Sequence, residues 1–335
     1  MKALVVRLDS FGDVLLAGPA VRAVAAHCAR VTMLCGPQGE PAARLLPGVD
    51  DVIVWSAPWE GVDPPTVGEA DVDGLVRRLR EEAFDVALVL TSFHQSPLPT
   101  ALLLRLAGVG RIGADSVDHP GSLLDVRHRR LPGRHEAEAA LDTAVAMGFP
   151  PPPGDDGRLR VLPPPDTIAL TGNGPYVVVH PGASAPARAW SPARCAEAVA
   201  LLADAGHRVI VTGGPGETDL TRRVSGDTAV DLGGRTRPRT LAGVLRTADV
   251  VVCGNTGPAH LAAAVGTPVV SLFAPVVPAE RWAPYGVPTV LLGDQSAPCA
   301  DSRARHCPVP GHPCLDEVTG QDVVQAVRKL LKERA

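Results

Sequence analysis

The feature that most constrains this chain is a pattern that runs twice. Short β-rich apolar runs at residues 3–8, 31–35, 51–55 and 85–90 alternate with Ala/Leu/Arg-rich stretches of helical period. The alternation then restarts at 176–180, 208–212, 230–232, 250–253 and 269–273. Strand and helix in alternation are the sequence form of βαβ units on a parallel sheet. Between the two series lies FPPPPGDD at 149–156, with further prolines at 163–165. Proline fixes φ and lacks an N–H, so the stretch resists helix and ladder alike and suits a connection and hinge. The reading is α/β, with Rossmann-like domains at 1–160 and 161–335 and a boundary within 150–173. Residues 319–334 carry Val323, Val324, Val327, Leu330 and Leu331 on one face. That pattern predicts a terminal helix packed on a domain surface, the N-terminal domain being one candidate.

Composition narrows the function classes. With 335 residues and 45% of them hydrophobic, the chain holds more than one core usually organises. A net charge of −4 gives no whole-chain attraction for nucleic acid. The N-terminus has only four apolar residues between Lys2 and Arg7, too few for a signal-peptide core, and no later uncharged apolar stretch approaches about 20 residues. The expectation is a cytoplasmic protein that does not span a membrane, with peripheral membrane contact left open.

Rossmann-like halves bind ligands at the carboxyl ends of their strands, so two facing halves would hold two substrates across a cleft. The loops after the strands are therefore where chemistry belongs. The first, from Arg7 to Pro19, reads RLDSFGDVLLAGP. Gly12 is read as permitting a tight turn with Asp13 at its tip, the alternative being an Asp that caps a helix N-terminus. Asp9 is the rival base. Ser92 and His94 follow the strand at 85–90 and fall near an acceptor by the same rule, the alternative being an ordinary polar loop.

In the second half, VVVHPGASAPARAW at 177–190 runs from strand into a small-residue loop containing Ser184 and ending in Arg188, a cation for a diphosphate. VTGGPGET at 211–218 offers Glu217 either to ribose hydroxyls or to the first turn of a helix. The strongest local signal is VVVCGNTGPAHLAAAVG at 250–266. There a β-branched strand feeds Asn255, Thr256 and Gly257 and then a helix beginning near Pro258, with His260 in its first turn, which is a phosphate cradle.

Other patterns carry less. GVGRIG at 108–113 follows a helical stretch, lacks dinucleotide context and reads as a helix C-cap. Asp71-Val72-Asp73 reads as the acidic start of a helix, not a metal site. Cys299, Cys307 and Cys314 lack a CxxC knuckle and read as a thiol cluster or a loop disulfide before a zinc site. The basic run Arg127-His128-Arg129-Arg130, with Arg134 and His135, reads as solvated charge, an anionic acceptor being the alternative.

Taken together and in order, FGDVLLAGPAVRAV, HPGAS with Arg188 two residues before Trp190, GGPGE, GNTGPAHLAAAVGTPVVSLF and CPVPGHPCL resemble glycosyltransferase family nine, the ADP-heptose:lipopolysaccharide heptosyltransferase family. The resemblance covers almost the whole chain. It implies a GT-B fold and an inverting, metal-independent transfer with no cofactor besides a nucleotide-sugar donor, ADP-heptose. By the same resemblance Asp13 is the general base. Ser184, Arg188, Glu217, Asn255, Thr256, Gly257 and His260 hold the donor, while Gly12, Ser92 and His94 lie on the acceptor side. The acceptor is a glycan, lipopolysaccharide among the options, or a small secondary metabolite. Where the family usually carries Asn-Asp before Ser/Thr-Gly, this chain has Gly254-Asn255, an amide that hydrogen-bonds hydroxyls but cannot accept a proton. A nucleotide-sugar epimerase and a non-catalytic nucleotide-sugar binding protein are the alternatives.

Overall fold

The computed structural model describes residues 1–334, and the chain divides into two compact units, Met1–Leu162 and Pro163–Ala335. The first unit is built on six parallel strands: β1 (Lys2–Arg7), β2 (Arg30–Cys35), β3 (Asp51–Val54), β4 (Val86–Val89), β5 (Arg111–Asp115) and β6 (Val126–His128). Their order is β3-β2-β1-β4-β5-β6, so the sheet reverses direction between β1 and β4. Strands covered on both faces read as unbroken apolar runs, and Leu4, Val5 and Val6 of β1 are buried accordingly. One face packs Leu4, Val6, Leu34, Ile53 and Ile112 against Leu79 and Leu104. The other face is met by the helices Phe11–Leu16, Gly18–Ala25 and Glu136–Ala146.

The segment 108–113 differs from its sequence reading. Gly108, at φ 83°, follows the helix Leu98–Leu106, but Arg111 already starts β5. Gly113 belongs to that strand because a Cβ there would lie 1.9 Å from the Met147 sulfur. The basic run is also structured: Arg127 and His128 lie on β6.

The second unit repeats the plan with β7 (Val177–His180), β8 (Val209–Val211), β9 (Val230–Asp231), β10 (Val250–Gly254), β11 (Val269–Leu272) and β12 (Thr289–Leu292). All pairings are parallel, in the order β12-β11-β10-β7-β8-β9, with the reversal between β10 and β7. Its core joins Val177, Val179, Val250 and Val252 to Val199 and Leu202 of the helix Pro192–Asp204. Val323, Val327 and Leu330 of the terminal helix Gly320–Arg334 complete it. That helix starts where Thr319 and Asp322 cap each other, the Asp322 carboxylate accepting from Thr319 N–H while Thr319 Oγ1 accepts from Asp322 N–H. Gly320 lets it approach closely, since a Cβ would meet Leu201 Cδ1 at 2.9 Å.

All seven cysteines are free thiols. Cys299 and Cys314 sit in the second core with Cys307 packed against it, so the late cysteines form a thiol cluster. Among the described residues no three His, Cys, Asp or Glu side chains are grouped to hold a metal ion, and no helix is long and apolar enough to cross a membrane.

The proline-rich segment after Phe149 is fixed to the first unit. Arg22 makes a two-point pair with Asp155, at 2.7 and 2.9 Å, His27 Nε2 reaches the Pro150 carbonyl, and Leu162 N–H donates to Leu45 O. The Arg22 hydrogen bonds, helped by Gly157 N–H, hold the Asp155 carboxyl down at about 2. A carboxyl depressed on folding contributes stability above its unfolded pKa of about 4, and that contribution is lost as pH falls from about 4 towards 2. Pepsin digestion should therefore cut within residues 150–162 progressively across that window, whereas Asp155→Ala should be cut there already at pH 4.

Candidate functional site

Each unit gathers polar groups where its strand order reverses, which is where a ligand crevice opens in a doubly wound sheet. In the first unit Val6 of β1 pairs with Val89 of β4, bringing Arg7 level with the loop that carries Ser92. Arg7 is 2% exposed. Its Nη2 lies 2.7 Å from Asp9 Oδ2, 2.8 Å from Ser92 Oγ and 3.4 Å from Asp13 Oδ1, while Nη1 lies 3.6 Å from Glu136 Oε2. Burial alone would lower the Arg7 pKa, but the charges of Asp9, Asp13, Glu136 and Glu60 outweigh it and the net shift is upward. Glu136, also buried, is pushed up by its desolvation against the pull of Arg7 and Arg130.

Asp13 stands in the first turn of the helix Phe11–Leu16, three residues after the N-cap Ser10, whose hydroxyl donates to Asp13 Oδ2 at 2.7 Å. Gly12 is therefore a helical glycine and not a turn tip: Ser10 starts the helix before Gly12, and the negative φ it adopts needs no glycine. Ser92 is buried; its Oγ accepts from Arg7 at 2.8 Å and donates to Asp9 Oδ2 at 3.2 Å.

Beside this network lies a cavity of about 390 Å³, lined among others by Asp9, Trp59, Glu60, His94 and Gln95. Gln95 sets its walls. Its Oε1 accepts from Ser92 N–H at 2.7 Å, which fixes the amide orientation and aims Nε2 at both Asp9 Oδ1, 2.6 Å away, and Glu60 Oε2, 2.7 Å away. Burial, the Asp9 charge and a hydrogen bond to Asp9 push the Glu60 carboxyl up to about 8. His94 lines the cavity as the loop position predicts, whereas Arg7, Glu60 and Gln95 escape sequence reasoning. Arg7-x-Asp9 at the end of a strand was the available signal; Glu60 has none, since it lies in an irregular loop.

In the second unit β10 pairs with β7 so that Cys253 lies level with His180. The loops carrying Ser184 and Arg188 and those carrying Asn255 and Thr256 thus leave adjacent strands at one height. Three glycines let them close up. A Cβ on Gly182 would meet Glu217 Oε1 at 1.9 Å, one on Gly213 would meet Thr221 Cγ2 at 2.5 Å, and one on Gly254 would meet the Arg188 carbonyl oxygen at 2.8 Å. Glu217 accepts from Gly214 N–H at 2.6 Å and stands 3.9 Å from His180 Nε2. His180 is buried, hydrogen-bonded to Thr212 at 3.0 Å, and its pKa is lowered by desolvation against the pull of Glu217.

Thr256 precedes the helix Gly257–Ala264 in extended backbone and does not cap it with its side chain; its hydroxyl donates to Gly254 O at 3.4 Å. His260 is buried in the first turn. Asn255 is 5% exposed, and neither its carboxamide oxygen nor its nitrogen makes a hydrogen bond among the described residues. A buried amide without a partner is costly, about 1–3 kcal/mol, and is rare enough to mark a place where a ligand completes the bonding. Ser184 is exposed in its loop.

The remaining motifs keep structural roles. Asp71 accepts from Trp55 Nε1 at 2.8 Å in the first turn of the helix Glu69–Glu82. Arg127 donates to the Ser116 and Val117 carbonyls, Arg130 pairs with Asp115 and Glu136, Arg134 pairs with Asp142, and His135 caps the helix Glu136–Ala146. The basic run is therefore mostly consumed inside the unit, with Arg129 exposed.

Comparison with known proteins follows the same line. The chain matches the model of glycosyltransferase family 9 (heptosyltransferase) over residues 72–312. Among solved structures it is similar to a family 9 glycosyl transferase from Veillonella parvula, at TM-score 0.75 and 17% identity, over 99% of this chain and 97% of that one. It is similar to the E. coli ADP-heptose lps heptosyltransferase II, at 0.74 and 19% over 100% of both chains. An E. coli heptosyltransferase with ADP-2-deoxy-2-fluoro heptose gives 0.70 and 21%, again over all of both chains. A search of curated proteins finds no match. The paired six-stranded parallel sheets are of the GT-B class.

Two outcomes test this geometry. Gly254→Ala should lower stability by roughly 1–3 kcal/mol in urea unfolding, because the clash is with backbone and cannot be relieved by a rotamer. For Glu60, a carboxyl raised on folding means that the folded state binds more protons than the unfolded one between about pH 4.5 and 8. Stability from this group is therefore lost as pH rises through that window, and Glu60→Gln should flatten the decline in a pH series of thermal midpoints.

Proposed function

As the chain belongs to glycosyltransferase family 9, the heptosyltransferases, we propose that it moves a heptose from ADP-heptose to an acceptor hydroxyl with inversion, using no cofactor and no metal. The observation that carries the donor reading is Asn255. Its buried carboxamide lacks a partner beside an uncapped helix N-terminus at the reversal of the second sheet, the place where a phosphate gains N–H donors and the favourable helix dipole. The E. coli structures holding ADP or an ADP-heptose analogue on the same fold support ADP-heptose in particular.

In this reading Thr256, Gly257 and His260 bind the diphosphate from the helix end and Arg188 and Ser184 from the facing loop. Glu217 accepts from the ribose hydroxyls, and Asn255 holds the sugar hydroxyls by both donor and acceptor, or a phosphate oxygen by its N–H alone. Asp13 takes the proton of the acceptor hydroxyl as its oxygen attacks the anomeric carbon. The bond to the diphosphate breaks with its electrons on ADP, whose charge Arg188 and the N–H groups meet. Gly12, Ser92 and His94 stand on the acceptor side, Ser92 acting through Arg7.

The first test is thermal stabilisation by ADP, UDP, GDP and NAD at equal concentration. ADP should raise the midpoint selectively and Arg188→Ala should shrink the shift; a preference for UDP or GDP would discard ADP-heptose, and a response to NAD alone would remove the transfer reading. Asp13→Asn should cut transfer by about 10²–10⁴-fold while the ADP shift is kept. Loss of the shift in that variant would make Asp13 structural.

A further inference from the structure

The cavity at the reversal of the first sheet is short of positive charge. Its walls carry Asp9 and Glu60, bridged by the Gln95 amide, and neither lysine nor arginine lines it. Arg7, the cation against Asp9, is shared with Asp13 and Glu136. The arginines that could have answered an anionic ligand are spent elsewhere: Arg127 on carbonyls, Arg130 on Asp115 and Glu136, Arg134 on Asp142. The lining also offers Trp59, held edge-on to Trp55 at 5.3 Å, with Trp55 anchored to Asp71. A partly exposed aromatic face beside paired carboxyls suits a ring with an apolar face and hydrogen-bond donors on its rim.

We propose that this cavity receives the acceptor, and that the acceptor presents there an aminated, hydroxyl-rich ring. Its ammonium lies between Asp9 and Glu60 and its apolar face lies on Trp59. The assignment rests on the reading of Asp13 as the base, since one Arg7 nitrogen touches both Asp9 on the cavity side and Asp13. At neutral pH Glu60 holds a proton against Asp9 that the ammonium replaces: the Glu60 O–H bond breaks, the proton leaves to solvent and the carboxylate pairs with the ammonium. The groups that set this exchange are Asp9, Gln95 and the Gly61 N–H beside Glu60, His94 on the cavity wall and Arg7 behind them. An acidic ring finds two carboxyls and no available cation, and is excluded.

Calorimetry on the full chain tests this with three rings that differ at one carbon: 6-amino-6-deoxyglucose, glucose and glucose 6-phosphate. Titrations at pH 7 in two buffers of different ionisation enthalpy also count protons. The amine should bind at least about tenfold more tightly than the phosphate and more tightly than glucose, with net proton release; glucose should release none. Glu60→Gln should abolish the release and shrink the preference, and an unchanged response of that variant to ADP would show it folded. Equal or tighter binding of the phosphate, parity of glucose with the amine, absence of amine binding, or proton release that survives Glu60→Gln would each overturn the proposal. Amine preference without any ADP response would overturn the donor reading alone, while an ADP response with a preference for the phosphate would overturn this inference alone.

Discussion

A guanidinium 2% exposed at the end of β1 is the interaction on which the first unit turns. Removing such a cation from water costs several kcal/mol unless carboxylates and hydrogen bonds replace the solvent around it. Arg7 finds them on three separate pieces of chain: Asp9 and Asp13 from its own loop, Ser92 from the loop after β4, and Glu136 from the helix that packs against the sheet. Glu136 passes the connection to Arg130, which reaches Asp115 at the end of β5 and the Thr91 carbonyl. The ends of β1, β4 and β5 are thereby held together by charge where the sheet's own pairing stops. The carboxyls outnumber the cations, and the surplus appears on the least committed member, Glu60, as a proton retained to about pH 8. What secures the loops is also what sets the charge of the cavity beside them.

The second unit solves the same topological problem with different means. Among the described residues no arginine or lysine as deeply buried as Arg7 stands at the reversal between β7 and β10; the loops are brought together by the absence of side chains at Gly182, Gly213 and Gly254. Close backbone approach brings loop N–H groups, a helix end and one buried carboxamide together, a set that suits a ligand rich in oxyanions. The two reversals are thus chemically opposed, one rich in carboxyls and one in donors. That opposition is what transfer from a nucleotide diphosphate to a hydroxyl requires: a proton acceptor at one substrate and charge neutralisation at the leaving group of the other.

The fold was legible because parallel strands buried on both faces cannot hide: β1, β7 and β10 carry continuous apolar runs, and β2 and β11 are interrupted within by one small polar residue each, Thr32 and Ser271. Three strands escaped: β12 (Thr289–Leu292), a short half-exposed edge strand, and two whose residues serve something else. β5 contains Gly113, kept small for Met147, and β6 carries Arg127 and His128, so neither shows an apolar signature. Of the candidate site, the donor loops were readable because glycine and threonine after a β-branched strand are local chemistry. The carboxyl cluster was only half readable. Asp9 and Asp13 announce themselves, but their partners Glu60, Gln95 and Glu136 come from 51, 86 and 127 residues after Asp9, and no local pattern encodes a contact of that range. Gly12 misled for a related reason: glycine in a loop-like string suggests a turn, while the helix had already begun at Phe11, after Ser10 in the N-cap position.

The departure at Gly254-Asn255 from the family's usual Asn-Asp is a packing matter before it is a chemical one. With the Arg188 carbonyl only 2.8 Å from where a Cβ would stand, position 254 admits no side chain unless the Arg188 loop withdraws. Glycine at 254 therefore lets the loop bearing Arg188 sit closer to the helix end than an asparagine would allow. The change at 255 then follows from charge. A carboxylate buried to the same degree would need its own cation, and the loop packed beside position 254 carries Arg188, which the proposed reaction uses for the departing diphosphate. A neutral amide makes no such claim on it and still offers one donor group and one acceptor to the bound sugar. The two differences are in this sense one change, a tighter loop facing a neutral amide in place of a second charge.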